Sequence, residues 1–293
     1  MTFAVYLPLL LPVLVSWAAR RAADRGRPAA AVRGLVVASV LAAVASTWSL
    51  VLIALTLFDD LPPLSAIDEQ PGLPQPVPGE VAAAAALLLL CGAVRLGRDL
   101  HRRRHTARSL RAAGTPIGDL VVADWAAPLA VAVPGRPGHL LVTTGMLRGL
   151  DAPERRAVIA HERAHLAHRH HRAVAWAAAA AAVTPLLVPA RETVSYLVER
   201  WADEDAADAV ADRGLVARAV ARAALATVDT SPVLGMHGGV IVRRVRALGR
   251  PAPKPDGGDP AIALMAASGG MVAVGTAALA FIEAARIWLT RAP

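Results

Sequence analysis

Long uncharged runs separated by short, densely charged ones set the first expectation for this chain. Residues 1–19 carry no charge and lead into Arg20, Arg21, Arg25, Arg27 and Arg33. No positive residue precedes that apolar run, so a cleaved signal peptide is not expected and a helix over about 3–19 reads as an anchor. The next run, 34–58, is 25 residues without charge, more than the roughly 20 a bilayer-spanning helix needs. The loop after it, DDLPPLSAIDEQPGLPQPVPGE, holds Asp59, Asp60, Asp68, Glu69 and Glu80 and no Lys or Arg, and its prolines forbid a regular helix. VAAAAALLLLCGAV (81–94) is short, but the uncharged loop before it and a snorkelling Arg95 extend it to a third span over about 78–97. The basic stretch RLGRDLHRRRHTARSLR then belongs on the cytoplasmic side, which places the N-terminus outside after three crossings. Near the end, 260–282 is a further 23 residues without charge and reads as a fourth span, with Glu283 and Arg286 at its far edge.

The pattern changes between about 115 and 255. PLAVAVPGRPGHLLVTTGML contains two short β-rich runs around a Pro/Gly turn, a hairpin with a long loop. DAPERRAVIAHERAHLAHRHHRAV follows as a helix, with Asp151 at its N-cap, Pro153 in the first turn and Glu154 at capping-box spacing. The expected architecture is a mostly α membrane protein. A membrane domain over 1–114 carries three spans, an α+β domain occupies 115–255, and a C-terminal span lies within 256–293. One segment resists this division. AVAWAAAAAAVTPLLVPA (173–190) is long enough to suggest a crossing, but its Ala richness and the breaks at Pro185 and Pro189 favour a buried helix.

Composition agrees with a membrane protein: 55% of the 293 residues are hydrophobic and 18% charged, with a mean hydropathy of +0.46. The single cysteine, Cys91, lies in an apolar run, which excludes an internal disulfide framework and any metal site built from cysteine pairs. A net charge of +8 would point to nucleic acid in a soluble domain. Here the arginines flank apolar runs, where they set orientation, and no direct nucleic-acid binding is expected.

Five of the nine histidines fall between positions 161 and 171. His161 and His165 are four apart, about 40° from eclipsed on one helical face, so two imidazoles can meet one ion. Glu162, one residue on, can reach a water bound to that ion. This is HExxH, in which zinc lowers the pKa of water and the carboxylate acts as general base. Such a short pattern also occurs by chance on a solvated basic helix, so a third ligand decides the matter. His171 has the ligand spacing of metzincins, but that geometry needs a glycine where His168 stands. The favoured source is YLVERWADEDAADAVAD, where Glu199 can bind metal and Asp203, a turn along, can fix the ring of a ligand histidine. Glu204 and Asp208 repeat the spacing; Glu204 lies about 140° round the helix from Glu199. For Asp205, Asp208 and Asp212 a solvated face is expected, as is exposure for His101, His105, His139, His168 and His170. His237, in a glycine-flanked loop, is a candidate oxyanion stabiliser, and Arg243, Arg244 and Arg246 after it are expected to meet lipid phosphates.

HERAH followed about forty residues later by ERWAD resembles the HExxH and ExxxD pair of the gluzincin membrane peptidases that include HtpX, the CAAX prenyl protease and the BlaR/MecR sensor-transducers. AVAVPGRPGHLLVTTGML with ERRAVIAHERAHLAHRHH is most similar to the BlaR/MecR-like family. The resemblance implies one Zn2+ per chain held by His161, His165 and Glu199, with Glu162 as base. It also implies an edge strand at about 139–143 for the peptide, and a multi-pass protein of the cell membrane with its active site in the cytoplasm. The implied activity is endopeptidase cleavage of a peptide or protein substrate, a transcriptional repressor or signalling protein among them. Two alternatives are HtpX-like membrane quality control, whose members share Ala202 before the Asp, and a non-catalytic membrane scaffold or receptor with a vestigial site.

Overall fold

The protein is described by a computed structural model over residues 5–23, 27–58, 78–228 and 238–252. Among the described residues it is mostly helical, with one three-stranded sheet. Two helices, α2 (Pro28–Leu55) and α3 (Gly79–Arg111), are long and apolar enough to cross a membrane by length and composition. Ala31, Leu35, Ser39, Ala42, Ser46, Ser49 and Ile53 form the buried stripe of α2. Their spacing of three and four follows the helical repeat, and the alanines and serines among them let other helices approach closely. Leu87, Leu88 and Leu90 of α3 are more than half exposed, an apolar patch of the kind that marks a membrane or protein contact.

α1 (Leu11–Ala22), preceded by a 3-10 turn at Leu7–Leu10, lies beside α2 and is shorter than the expected first span. The second expected span coincides with α2 and the 3-10 turn that closes it. The third is only the apolar half of α3, which runs on unbroken through the basic stretch to Arg111. Positions 59–77 and the expected fourth span, 260–282, lie outside the described residues.

Beyond α3 the chain builds the sheet from β1 (Leu120–Ala123), β2 (Ala130–Val133) and β3 (His139–Thr143). The strand order is β1-β3-β2, with β1 parallel and β2 antiparallel to β3. This corrects the edge expected at 139–143: every residue of β3 is buried, and β1 and β2 are the edges. The hairpin reading was right, but pairing of β1 on the far side of β3 covers that strand. In β3, the Leu140 N–H donates toward β1, to the carbonyl of Asp119, whereas the Thr143 N–H donates toward β2, to that of Leu129. Antiparallel alternation then turns the backbone groups of Ala130 and Ala132 to the free side of β2.

α4 (Thr144–Gly149) and α5 (Ala152–Ala167) follow. The expected capping box is present: the Glu154 N–H donates to the Asp151 carboxylate, and the Asp151 N–H to that of Glu154. Arg222 of α8 (Arg213–Val228) donates to the buried Glu154 at 2.8 Å, tying the first turn of α5 to a distant helix. α5 stops where Arg169 adopts a left-handed conformation, φ 52. α6 (His170–Val183) then packs its alanines against α2 and α3. Gly92 of α3 permits the close crossing; a Cβ there would stand 3.1 Å from the Val183 carbonyl oxygen. The chain reverses through Pro185–Leu187, and α7 (Val188–Val210) runs back, so 173–190 goes out and returns. α9 (Gly238–Leu248) packs on α7 and α8.

A Cβ on Gly145, in the first turn of α4, would sit inside the contact radii of the Ala126 and Ala127 backbone. Gly145→Ala must displace that turn, and thermal unfolding of the detergent-solubilised protein should show a loss of about 2 kcal/mol or more.

Candidate metal centre

The site forms where α5 crosses α7. His161 and His165 project from one face of α5, and Glu199 and Asp203 from the facing side of α7. Nε2 of His161 and Nε2 of His165 are 3.1 Å apart, and Glu199 lies 3.5 Å from the first through Oε2 and 3.7 Å from the second through Oε1. A tetrahedral ion with bonds of about 2.0–2.1 Å would separate its donors by about 3.3–3.4 Å. The imidazole pair stands slightly closer than that, and the carboxylate slightly farther, turning a different oxygen to each ring. Two imidazole lone pairs this close to each other and to a carboxylate need a proton or a cation among them, and these three side chains can hold a metal ion.

A second layer supports them. Asp203, almost fully buried, brings Oδ1 to 3.0 Å from Nδ1 of His161, although that nitrogen is not aligned for a hydrogen bond; the contact is an electrostatic one. Arg244 of α9 donates twice to Asp203, at 2.8 and 2.7 Å, and lies 3.0 Å from Glu199 Oε2. This corrects the expectation that the arginines of this helix meet lipid: Arg244 is turned into the site. Arg243 covers the Tyr196 ring at 4.0 Å. A run of arginines carries no sign of which one points inward, so this residue was not legible beforehand.

Glu162, the residue expected to act as base, accepts a hydrogen bond of 2.8 Å from the Ala132 N–H on the free side of β2. Burial pushes its pKa up to about 7, against the opposing influence of His161, the Ala132 N–H and Arg244. Burial disfavours charge on His161, but Asp203 and Glu199 outweigh it and hold its pKa at about 10. Burial lowers His165 to about 4, with Glu199 opposing. For Glu199 and Asp203 burial is overcome, by His161 and Arg244 in the first case and by Arg244 and His161 in the second, and both stay below the ordinary carboxyl range.

The competing register does not reach the histidines. Glu204 pairs with Arg213 and stands 3.9 Å from Arg200, on another face of α7. Asp212 accepts from the Leu215 N–H at the start of α8, and Asp208 is exposed as expected. Asp205 is not merely solvated, since His168 contacts it at 2.5 Å. His101, His105 and His171 are exposed. His139 and His170 are buried, contrary to expectation: His139 opens the central strand, and the left-handed turn at Arg169 swings His170 inward. His237 lies outside the described residues.

Residues 98–190 match the model of peptidase family M48, a match that supports the M48 metallopeptidase family. It runs from the basic half of α3 through α6 and includes His161, Glu162 and His165, but stops short of Glu199, Asp203 and Arg244. Neither the curated proteins nor the solved structures contain a match.

In metal-free protein at pH 7 His161 carries a proton that a ligand imidazole cannot keep. Zinc uptake should therefore release about one proton from His161 and part of another from Glu162. Calorimetric titration in two buffers of different ionisation enthalpy counts it, and a count near zero contradicts the assignment. Arg244→Met leaves Asp203 buried without its cation and should destabilise the metal-free protein by about 3–5 kcal/mol in denaturant titrations. Because Arg244 depresses the folded pKa of Asp203, the stabilisation is present above the unfolded carboxyl range and is lost as pH falls through the folded value. The gap between variant and wild type should narrow in acid.

Proposed function

We propose that this chain is a membrane-embedded zinc endopeptidase of the M48 type, cutting peptide bonds at the cytoplasmic face. The observation that carries the proposal is the convergence of His161, His165 and Glu199: the two Nε2 atoms lie 3.1 Å apart, and Glu199 comes within 3.5 Å of the first through Oε2 and 3.7 Å of the second through Oε1. The match over 98–190 and the two long apolar helices support it. Arg33 of α2 stands 5.4 Å over the Trp201 ring of α7, so the basic start of that helix shares a level with the site. The basic half of α3 leads to the same end of the molecule, and positive charge of this kind marks the cytoplasmic side.

His161, His165 and Glu199 would hold the metal, and when bound it supplies a Lewis acid and lowers the pKa of water at neutral pH. The remaining chemistry falls to the chain. Glu162, poised near neutrality, takes a proton from the attacking water and returns it to the leaving amide nitrogen. Asp203 holds the His161 ring, and Arg244 balances the charge of the two α7 carboxylates. An extended peptide can add to the free edge of β2, where the Ala130 N–H and carbonyl and the Ala132 carbonyl are turned outward; the Ala132 N–H is held by Glu162. The peptide-binding edge is thus assigned to β2 in place of β3.

Within this class the BlaR/MecR resemblance favours regulated cleavage of a cytoplasmic repressor or signalling protein. HtpX-like quality control is the second reading, favoured by Ala202 before Asp203. A scaffold with a vestigial site is distinguished from both by metal content: stoichiometric zinc that disappears in His161→Ala belongs to the enzyme.

Glu162→Gln should retain zinc and lower the cleavage rate by at least about 100-fold. Proteins that remain uncut in cells carrying this variant, compared with wild type, would identify the substrate. Retained cleavage removes Glu162 as the base.

A further inference from the structure

We infer that His170 is a positioning residue for His165, fixing which of that ring's nitrogens faces the site; the inference rests on the metal-centre reading above. Nδ1 of His170 lies 3.0 Å from Nδ1 of His165, on the side of the His165 ring opposite the nitrogen that faces His161. His170 is 1% exposed, and its ring is set at 84° to that of His165. The left-handed turn at Arg169, four residues after His165, follows the end of α5 at Ala167 and lets the first residue of α6 fold back onto it. His171, one position on, is exposed, so the turn selects His170.

The proton bookkeeping leaves one arrangement. If His165 Nε2 presents its lone pair to an ion, its Nδ1 carries the proton and donates, so His170 Nδ1 accepts and the His170 proton sits on Nε2. That Nε2 is buried and finds no hydrogen-bond partner among the described residues; the His170 and Trp201 ring centres are 4.7 Å apart, with the planes tilted by 57°. An imidazole buried with half of its polar capacity unused costs stability, so packing alone would favour an apolar residue here. What the histidine supplies is an acceptor for His165. The two ligand rings are therefore held differently: His161 faces the carboxylate of Asp203 and His165 a neutral ring. A neutral partner orients without adding a further anion to a site that already holds Glu162, Glu199 and Asp203.

The test measures zinc affinity of the full-length, detergent-solubilised protein by competition with a chromophoric chelator, alongside thermal unfolding of the metal-free form. His170→Phe keeps the ring and its packing on Trp201 but accepts no hydrogen bond; zinc binding should weaken about 10- to 100-fold, with the metal-free melting temperature unchanged or raised. His170→Asn places an amide oxygen where Nδ1 stood and should bind zinc close to wild type. Should the Phe variant fail to fold, His170→Gln takes its place, because its amide lies at the Nε2 position and should weaken binding where Asn does not. Wild-type affinity in the Phe or Gln variant overturns the inference and leaves the metal reading intact, as does equal weakening by Asn. A wild-type protein that takes up no zinc overturns both.

Discussion

The packing of α5 on α7 is the contact on which the site depends. Two imidazoles on one helix and a carboxylate on another reach the same point only if the helices cross at those residues, and the crossing is enforced from several directions. The capping box and the Glu154–Arg222 pair set where α5 begins. The reversal at Pro185–Leu187 sends α7 back past it, and the alanines of α6 bring that hairpin against α2 and α3. A slip of one residue in α7 would rotate Glu199 by about 100° away from the histidines. The contact is thus a matter of register as much as of proximity.

Charge completes what packing begins. Glu199 and Asp203 crowd two carboxylates beside a third, Glu162, and such a cluster is costly to bury without compensation. Arg244 supplies the opposite charge through three contacts from a helix outside the α5–α7 pair. In the metal-free protein a protonated His161 supplies the rest. The centre is consequently preorganised for a cation: Glu199 and Asp203 are held ionised and directed inward, while burial keeps Glu162 near neutrality.

Local features were legible in the sequence and tertiary ones were not. The helix of His161, Glu162 and His165, its cap at Asp151 and the hairpin after Pro128 are written in patterns spanning a few residues, and the folded chain has them where expected. Glu199 and Asp203 could be proposed because their own i, i+4 spacing echoes that of the histidines. The placement of β3 depends on a parallel partner twenty positions earlier, Leu120 against Leu140, which no hairpin signal contains. Arg244 reaches its carboxylates from 41 residues away in sequence. His170 stood among exposed neighbours in a basic run, and only the backbone turn at Arg169 distinguishes it from them.

One consequence belongs to α3. Its 33 residues form a rod about 50 Å long, joining the apolar bundle to the sheet without a joint; at its basic end Arg111 grips the Pro134 carbonyl at the end of β2. The height of that strand above the greasy half of the molecule is therefore a fixed length. A rod of this kind works as a depth gauge: whatever seats on that strand is met at a set distance from the apolar bundle.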